Sequence, residues 1–466
     1  MKLWQITLII GLAFLLLVSL MSNMALFYWA NQQNNLAAEL RTELSAVRNE
    51  RDDLQREVER LRAESQSPAA LAKTMDSIAA ETERLRDLAP LSPVSREIVS
   101  QAEMASVVGD LMAEDYPPAD QARDQIVMSS LELIPPDMDI GQLVNDLLQE
   151  QVAGLYVPPD EKLYVVQYGR RLGPLEKVIF SHEHTHALQD QYFDLQSLGL
   201  GGGESDRNND ELVAVQALVE GDATFTMQQY VQQYFKPMDM LRMMGAAMSV
   251  NQEAINSAPP HLRRSFMFPY QDGLTFVANL YGWGGWEMIN EAYVDPPQSS
   301  EQILHPYKYP HDMPQQVSLP PLTDTLGSGW RQIDENVLGE LTLHSYLNVY
   351  TTRNNADRGA DGWGGDRYAV YQNKTGQIVL LISIVWDNSN EQAEFVEVYQ
   401  DFAAKRFGEP LAPPVSLDRP AKETSHWWAD ETHQLLLLES EKEATTIIIQ
   451  APTAELVEQV SGVVAK

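Results

Sequence analysis

Three histidines and a glutamate stand together in the segment Ser181-His182-Glu183-His184-Thr185-His186, which contains the pattern His-Glu-x-x-His as His182, Glu183 and His186. On a helix, residues four positions apart share one face, so the imidazoles of His182 and His186 could bind one metal ion. Zinc suits two neutral imidazoles plus one carboxylate, with a position left open for water. Glu183 would lie beside the ion, where a carboxylate can accept a proton from that water. The spacing predicts a hydrolytic Zn2+ site.

Two other interpretations of this segment remain open. In a strand, His182, His184 and His186 would share one face and form a different metal site, although the three- and four-residue apolar steps upstream favour a helix. Alternatively, the segment is a histidine-rich surface helix without a metal ion. In the helical interpretation His184 points away from the metal face, so we expect it behind the site or at the surface.

The third ligand must come from another part of the chain. Glu220 follows His186 by 34 residues, enough for a second helix to return antiparallel. It lies among apolar residues on a flank that we expect to be buried, and a buried carboxylate needs a partner such as a cation. We predict His182, His186 and Glu220 as the metal ligands. Asp222 and, more weakly, Glu211 are rival ligands.

The motif and the later glutamate together resemble the gluzincin metallopeptidases. Glu220-Gly221-Asp222-Ala223 is similar to the Glu-Gly-x-Ala run that supplies the third ligand in gluzincin aminopeptidases. The resemblance covers about residues 150–235 and implies a peptidase. Thr224 stands where thermolysin-like members have an aspartate, and the aminopeptidase Gly-x-Met-Glu-Asn motif is absent from the sequence. The resemblance therefore implies no exopeptidase specificity.

Three further blocks resemble a family of predicted secreted or surface metalloproteins of bacteria and archaea. These are Gly284-Gly285-Trp286, the segment 296–306, and the segment 362–368. The second block contains His305, which we predict as a second catalytic residue because a histidine could stabilise the oxyanion. The alternative is a histidine that merely belongs to a linker.

A hairpin and two helices must position these residues. Strand patterns cover Val152–Val157 and Leu163–Val166, with a Pro-Pro-Asp turn after the first. A helix is predicted from about Pro174, and a second one begins near Asp210 and runs past Tyr230. The two helices would bring the histidine motif and Glu220 together.

The later part of the chain alternates strand and helix patterns. Gln377–Trp386 predicts an apolar strand, Gln392–Phe407 an amphipathic helix, and Gln434–Leu438 and Thr445–Ile449 two more strands. The fold class expected overall is α+β. It comprises a mostly helical zincin-like domain with a small β-hairpin or sheet, and a C-terminal α+β domain.

The amino-terminal segment is apolar and predicts a membrane anchor. No charge occurs from Leu3 to Ala30, and Phe27-Tyr28-Trp29 close the run as an aromatic belt would. We therefore expect a single-pass transmembrane signal-anchor over residues 1–32, with the amino terminus inside and the bulk of the chain extracytoplasmic. A cleaved signal peptide is the alternative.

A heptad pattern follows the apolar segment. Its two positions alternate at three- and four-residue steps, as in a coiled-coil seam. They are occupied by Ala37, Leu44, Arg51 and Val58, and by Leu40, Val47, Leu54 and Leu61. We predict a coiled coil that can form a homo-oligomer; a single charged stalk helix is the alternative.

Composition narrows the possible functions. The chain has 466 residues and no cysteine, which excludes disulfides, thiolate metal sites and a cysteine nucleophile. A net charge of −33 argues against a nucleic-acid partner, because nucleic-acid binders usually present a basic face. The length allows two or three domains.

The expected organisation is an anchor (1–32), a coiled coil (33–66), a linker (67–90), a catalytic domain (91–305), a proline-rich linker (306–326) and a C-terminal domain (327–466). We predict a membrane-anchored extracytoplasmic zinc metallopeptidase whose partner is a protein or peptide substrate. The alternative is a surface structural or binding protein with an architectural or inactive zinc site. Hydrolysis of a non-peptide amide is a third possibility.

Overall fold

The structure is a computed structural model that describes residues 40–56, 68–151, 154–166, 172–201, 205–247, 253–412, 423–440 and 443–464. The chain divides into two compact units, Met1–Lys73 and Thr74–Lys466. In the first unit, residues 40–56 form helix α1, whose side chains are all exposed. The apolar heptad residues Leu40, Leu44, Val47 and Leu54 are at least half exposed on it. Association through this seam stays a prediction.

The remaining elements follow in chain order. The helices are α2 (Pro68–Arg86), α3 (Gln101–Asp115), α4 (Pro118–Ser130), α5 (Ile140–Gln151), α6 (Pro174–Phe193), α7 (Asn209–Tyr234), α8 (Pro237–Ala247), α9 (Glu253–Ser257), α10 (Pro260–Val294), α11 (Ser300–Leu304), α12 (Thr323–Leu326), α13 (Gly339–Leu347), α14 (Arg353–Ala360), α15 (Ser389–Phe407) and α16 (Ala454–Val464). The strands are β1 (Ser95–Val99), β2 (Gly154–Val157), β3 (Lys162–Val166), β4 (Trp330–Asn336), β5 (Trp363–Asn373), β6 (Ile378–Trp386), β7 (Glu423–Ala429), β8 (Gln434–Ser440) and β9 (Thr445–Ala451).

A small sheet precedes the histidine helix. Its order is β1-β3-β2, with β3 parallel to β1 and antiparallel to β2, so β2 is an edge strand of the described sheet. The predicted hairpin is thus present as β2 and β3, joined by a short 3₁₀ turn at Pro158–Asp160. Helix α6 begins eight positions after β3 and packs against both strands of the hairpin. This packing fixes the direction in which α6 presents its histidines.

A six-stranded sheet forms the core of the later part of the chain. Its order is β4-β5-β6-β9-β8-β7, and every neighbouring pair is antiparallel. Side chains alternate between its two faces, as the two-residue period of a strand requires. On β6, Leu380 and Ile382 join one core cluster with α13, α14 and α15, whereas Val379 and Leu381 join another with α12 and α16. Helices therefore cover both faces of this sheet.

The two longest helices, α7 and α10, cross at a contact between glycines. A Cβ atom added to Gly221 would lie 2.3 Å from the backbone carbonyl of Gly273, and one added to Gly273 would lie 2.1 Å from the Ala217 oxygen. Only glycine permits two helix backbones to approach this closely. The glycine in the Glu-Gly-Asp run of α7 is therefore required by packing beside Glu220.

These elements agree with the predicted α+β class, but the transmembrane part of that prediction is wrong for the described chain. No helix of the described residues is both long enough and apolar enough to cross a bilayer. The long helices α7 and α10 are interrupted by charged residues such as Glu220, Asp222 and Arg264. The predicted single-pass membrane location is corrected on the same finding. The segment 1–32, on which both predictions rested, lies outside the described residues.

The glycine contact generates a stability prediction. Gly221→Ala should lower the thermal midpoint, because overpacking against a backbone costs about 1–3 kcal/mol. The matched control is Gly109→Ala in α3, where an added Cβ meets no atom of the described residues within 4 Å. That control should be neutral or stabilising by up to about 1 kcal/mol, since alanine is the better helix former. Equal midpoints for the two variants in calorimetry would contradict the close contact.

Candidate metal centre

The three predicted ligands come together on adjacent faces of α6 and α7. The Nε2 atom of His182 lies 3.0 Å from Nε2 of His186 and 3.1 Å from Oε2 of Glu220. The Nε2 atom of His186 lies 3.4 Å from the same oxygen. A tetrahedral zinc ion with bonds of about 2.1 Å holds its ligands about 3.4 Å apart, so this donor set fits zinc. The three side chains are between 11% and 17% exposed, so the group opens to solvent.

A hydrogen-bonded glutamine orients His186. The Nδ1–H group of His186 donates to Oε1 of Gln189 at 2.8 Å. The amide nitrogen of Gln189 in turn donates to the Val219 carbonyl and to Oδ2 of Asp222, both at 3.0 Å. These two acceptors fix the orientation of the Gln189 amide, so its oxygen must face the histidine. When His186 is neutral, its lone pair is therefore on Nε2, the atom that faces His182 and Glu220.

The electrostatics of the group favour a cation between the ligands. Burial would keep His186 neutral, but the carboxylate of Glu220 outweighs burial and raises the pKa of His186 to about 9. Burial likewise opposes ionisation of Glu220, but the imidazoles of His186 and His182 outweigh it and lower the pKa of that carboxyl. Positive charge is thus stabilised at the point where the three atoms meet. An ion that binds there must displace the proton.

Glu183 lies between the ligand group and the edge of the small sheet. Its Oε2 accepts a hydrogen bond of 2.8 Å from the Tyr156 backbone N–H of β2. The strand approaches α6 so closely at Gly154 that an added Cβ would lie 2.7 Å from Ile179 and 3.0 Å from Cγ of Glu183. The predicted base is therefore half-buried and held by a backbone donor of β2.

Tyr270 is a site residue that the sequence analysis missed. It belongs to α10, its ring centroid lies 6.2 Å from that of His182, and the residue is 40% exposed. The nearby Glu220 carboxylate holds the pKa of Tyr270 well above its ordinary value, so its hydroxyl keeps its proton. No motif surrounds Tyr270 in the sequence, and only the fold of α10 against α7 brings it to the ligands.

Helix α2 supports the site from behind. Thr82 and Ser181 share a hydrogen bond of 2.8 Å, and Nε2 of His184 lies 3.1 Å from Oε1 of Glu83. His184 is 2% exposed, so it lies behind the metal face. The Nε atom of Arg86 lies 2.7 Å from Oδ1 of Asp222, with both side chains fully buried. The residues of α2 fall in the segment 67–90, for which a linker was predicted.

The rival ligands have other partners. Asp222 pairs with Arg86 and accepts the hydroxyl proton of Tyr293 in a hydrogen bond of 2.9 Å. Glu211 belongs to the capping box of α7, where its carboxylate accepts from the Asn208 N–H. Neither carboxylate belongs to the ligand group around His182.

His305, the second predicted catalytic residue, has a different set of neighbours. Its Nε2 atom lies 2.9 Å from Oε1 of Glu340 and 3.8 Å from Oδ1 of Asp361. These three residues form a separate group of metal-ligating type, distinct from the group around His182. Among the described residues, no hydrogen bond or ion pair joins His305 to His182, His186 or Glu220.

The hydrogen bond from His186 to Gln189 generates a prediction about metal affinity. Gln189→Met removes the acceptor that orients His186, and loss of such a partner weakens metal binding about 10–100-fold. Gln191→Met is the control, because Gln191 bonds the backbone of Leu91 and Ser92 instead. Competition with a chelator measures both affinities. Equal zinc affinity in the two variants would show that Gln189 does not support the ligand.

Comparison with known proteins adds one similarity. A family model described as a domain of unknown function (DUF8575) matches residues 325–461. The match spans β4 to α16, and it includes neither the ligand group around His182 nor Glu183. No curated protein and no solved structure matches the chain.

Proposed function

We propose that the protein is a zinc-dependent hydrolase that cleaves peptide bonds. The observation that supports this most strongly is that three potential ligand atoms lie 3.0 to 3.4 Å apart. Glu183, which is not one of the three, follows His182 directly on α6. Two imidazoles and one carboxylate are a donor set typical of catalytic zinc, in which a position stays open for water. The resemblance to gluzincins supports the same conclusion.

The proposed chemistry divides between the ion and the side chains. A zinc ion held by His182, His186 and Glu220 would act as a Lewis acid and increase the acidity of a water molecule. Glu183 accepts the proton of the attacking water and returns it to the nitrogen of the leaving amine. Its hydrogen bond from the Tyr156 N–H holds the carboxylate in place while leaving the other oxygen, Oε1, for the water.

Tyr270 is suited to stabilise the developing charge on the substrate. Its ring lies beside His182, and the residue is partly exposed. A hydroxyl there can donate a hydrogen bond to the carbonyl oxygen of the scissile bond as that oxygen becomes negative. Tyr270 thus takes the role that the sequence had assigned to His305.

An extended peptide is the substrate form that suits the neighbouring sheet. Strand β2 is an edge strand, and its Tyr156 N–H already reaches Glu183. A peptide that pairs with such an edge forms backbone hydrogen bonds with it, and these bonds do not depend on the peptide's side chains. A substrate carbonyl in that position would lie close to Glu183.

An architectural zinc site is the competing interpretation. Structural zinc sites usually have four protein ligands and are closed to solvent. The group found among the described residues has three, and each of them is partly exposed. A carboxylate at the position of Glu183 would also have no role in a closed site. These features favour a catalytic centre.

The role of Glu183 gives the principal test. Glu183→Gln is nearly isosteric and changes no ligand, so the variant should bind zinc as wild type does. It removes the proton acceptor, and general acid–base groups contribute about 10²–10⁴-fold to rate, so hydrolysis should fall by that factor. The measurement is cleavage of unfolded casein by the zinc-loaded full chain, with zinc content determined on the same preparation. Equal turnover of the two proteins would rule Glu183 out as the base.

A second variant tests Tyr270. Tyr270→Phe should reduce kcat about 10²–10³-fold while KM and zinc content change little, because the lost bond forms only in the transition state. Tyr281→Phe is the matched control on the same helix, since Tyr281 is similarly exposed but packs against Phe225 and Trp286. If Tyr270→Phe changes only KM, the hydroxyl binds substrate but does not stabilise the transition state.

A further inference from the structure

A second group of ligand-type side chains lies where the helical part of the chain meets the six-stranded sheet. His305 follows α11, Glu340 is in the first turn of α13, and Asp361 follows α14. Their ligand atoms all lie within 4.8 Å of one another. His305 belongs to the segment 296–306 and Asp361 immediately precedes the segment 362–368, two sequence blocks that the proposed hydrolase site does not use.

One oxygen of this group lacks a partner. Glu340 is 7% exposed at its side chain, and its Oε1 receives the contact from His305 at 2.9 Å. Its Oε2 is buried and has no hydrogen-bond partner among the described residues. A buried carboxylate oxygen without a donor costs free energy, and a cation is one way to remove that cost. Burial accordingly raises the pKa of Glu340.

The buried carboxylates around Glu340 are satisfied by other means. Asp366 accepts from the Leu338 and Gly339 N–H groups and from the Trp363 indole, each at 2.9 Å. Asp210 accepts from the Ser300 N–H at 3.0 Å. Glu340 therefore has a buried oxygen for which the described residues provide no hydrogen-bond donor, whereas both oxygens of Asp366 accept hydrogen bonds.

In a neighbouring group of carboxylates, a lysine provides the positive charge. Glu301, Asp312 and Asp387 also lie close enough together to hold an ion. The ammonium group of Lys308 occupies the space between them, at 2.6, 3.1 and 2.7 Å from their oxygens. No lysine or arginine of the described residues forms an ion pair with Glu340 or Asp361.

We propose that His305, Glu340 and Asp361 form a second metal site, for a divalent transition-metal ion such as zinc or manganese. One imidazole and two carboxylates suit such an ion better than calcium or magnesium, which prefer oxygen ligands alone. A proton on His305 can satisfy only one oxygen of Glu340, and Asp361 at 3.8 Å is beyond hydrogen-bond range. A divalent ion would contact all three residues.

The carboxylate of Asp361 is exposed and gives an ion access to the site from solvent. Its side chain is 57% exposed, so an ion can enter from solvent and keep water as its remaining ligand. The ion would join the ends of α11 and α14 to the start of α13. It would thus stabilise the junction between the helical part and the sheet, without taking part in hydrolysis.

Metal content of the purified full chain tests this site independently of the proposed function. Wild type saturated with zinc or manganese and then freed of loosely bound metal should hold two ions per chain. The variant His182→Ala/His186→Ala should retain one, Asp361→Asn should retain one, and the combined variant none. Asp361→Asn changes an exposed side chain, so it should leave the fold intact. Asp357→Asn, equally exposed four residues earlier, is the control and should keep both ions.

Thermal stability provides a second readout. Added zinc or manganese should raise the thermal midpoint of the His182→Ala/His186→Ala variant, and Asp361→Asn should abolish that increase. If the double variant is folded, binds no ion and does not respond to either metal, only the ion pair of His305 with Glu340 is present and the second site is refuted. The two sites are tested separately. If wild type binds no ion at His182, His186 and Glu220, the proposed hydrolase site is contradicted, but the result for the second site is unchanged.

Discussion

Arg86 and Asp222 form an ion pair from which water is excluded, and the arrangement of four helices depends on it. Both side chains are fully buried. A buried charge without its partner costs about 3–5 kcal/mol, so the pair can exist only if α2 and α7 are both in position. Asn290 accepts a further bond from Arg86, Tyr293 donates to Asp222, and Trp286 lies 4.4 Å under the guanidinium. Because these three residues belong to α10, the ion pair also requires α10 to be in position.

The ion pair is connected to the predicted metal ligands through one side chain, Gln189. Gln189 donates to Asp222 and accepts from His186, so the position of the carboxylate determines the orientation of the imidazole. Helix α6 is consequently held on two sides. Its outer face presents His182 and His186, and its inner face contacts α2 through Ser181 and His184. A ligand geometry held in this way requires little reorganisation when an ion binds.

The sequence predicted the histidines of the ligand group because the evidence for them is local. A four-residue spacing on a helix is sufficient for His182 and His186, and a hairpin pattern is sufficient for β2 and β3. The local sequence does not contain the information needed to choose between Glu220 and Asp222. Two positions on a helix differ by about 200°, so the two carboxylates face opposite sides, but the sequence does not say which side carries the histidines.

The contacts that decide this question join residues far apart in the chain. Arg86 lies 136 positions before Asp222, and in the sequence nothing distinguishes it from the other charged residues of a polar helix. Tyr270 has no motif, and its place beside His182 depends on the glycine contact between α7 and α10. The membrane prediction is corrected because no helix of the described residues is long and apolar enough to cross a bilayer, and the hydropathy on which it rested belongs to residues 1–32, outside that part of the chain.

The distance between Arg86 and Asp222 along the chain also affects the order of assembly during synthesis. Arg86 leaves the ribosome well before α7 exists, and until then its guanidinium remains hydrated because its buried partner, Asp222, has not yet been synthesised. Long-range pairings of this kind slow folding, since the intervening chain must be ordered before the contact forms. The histidine pair of α6 is synthesised before Glu220. A nascent chain therefore carries two of the three predicted ligands, and the third reaches them only when α7 docks and Arg86 enters the core.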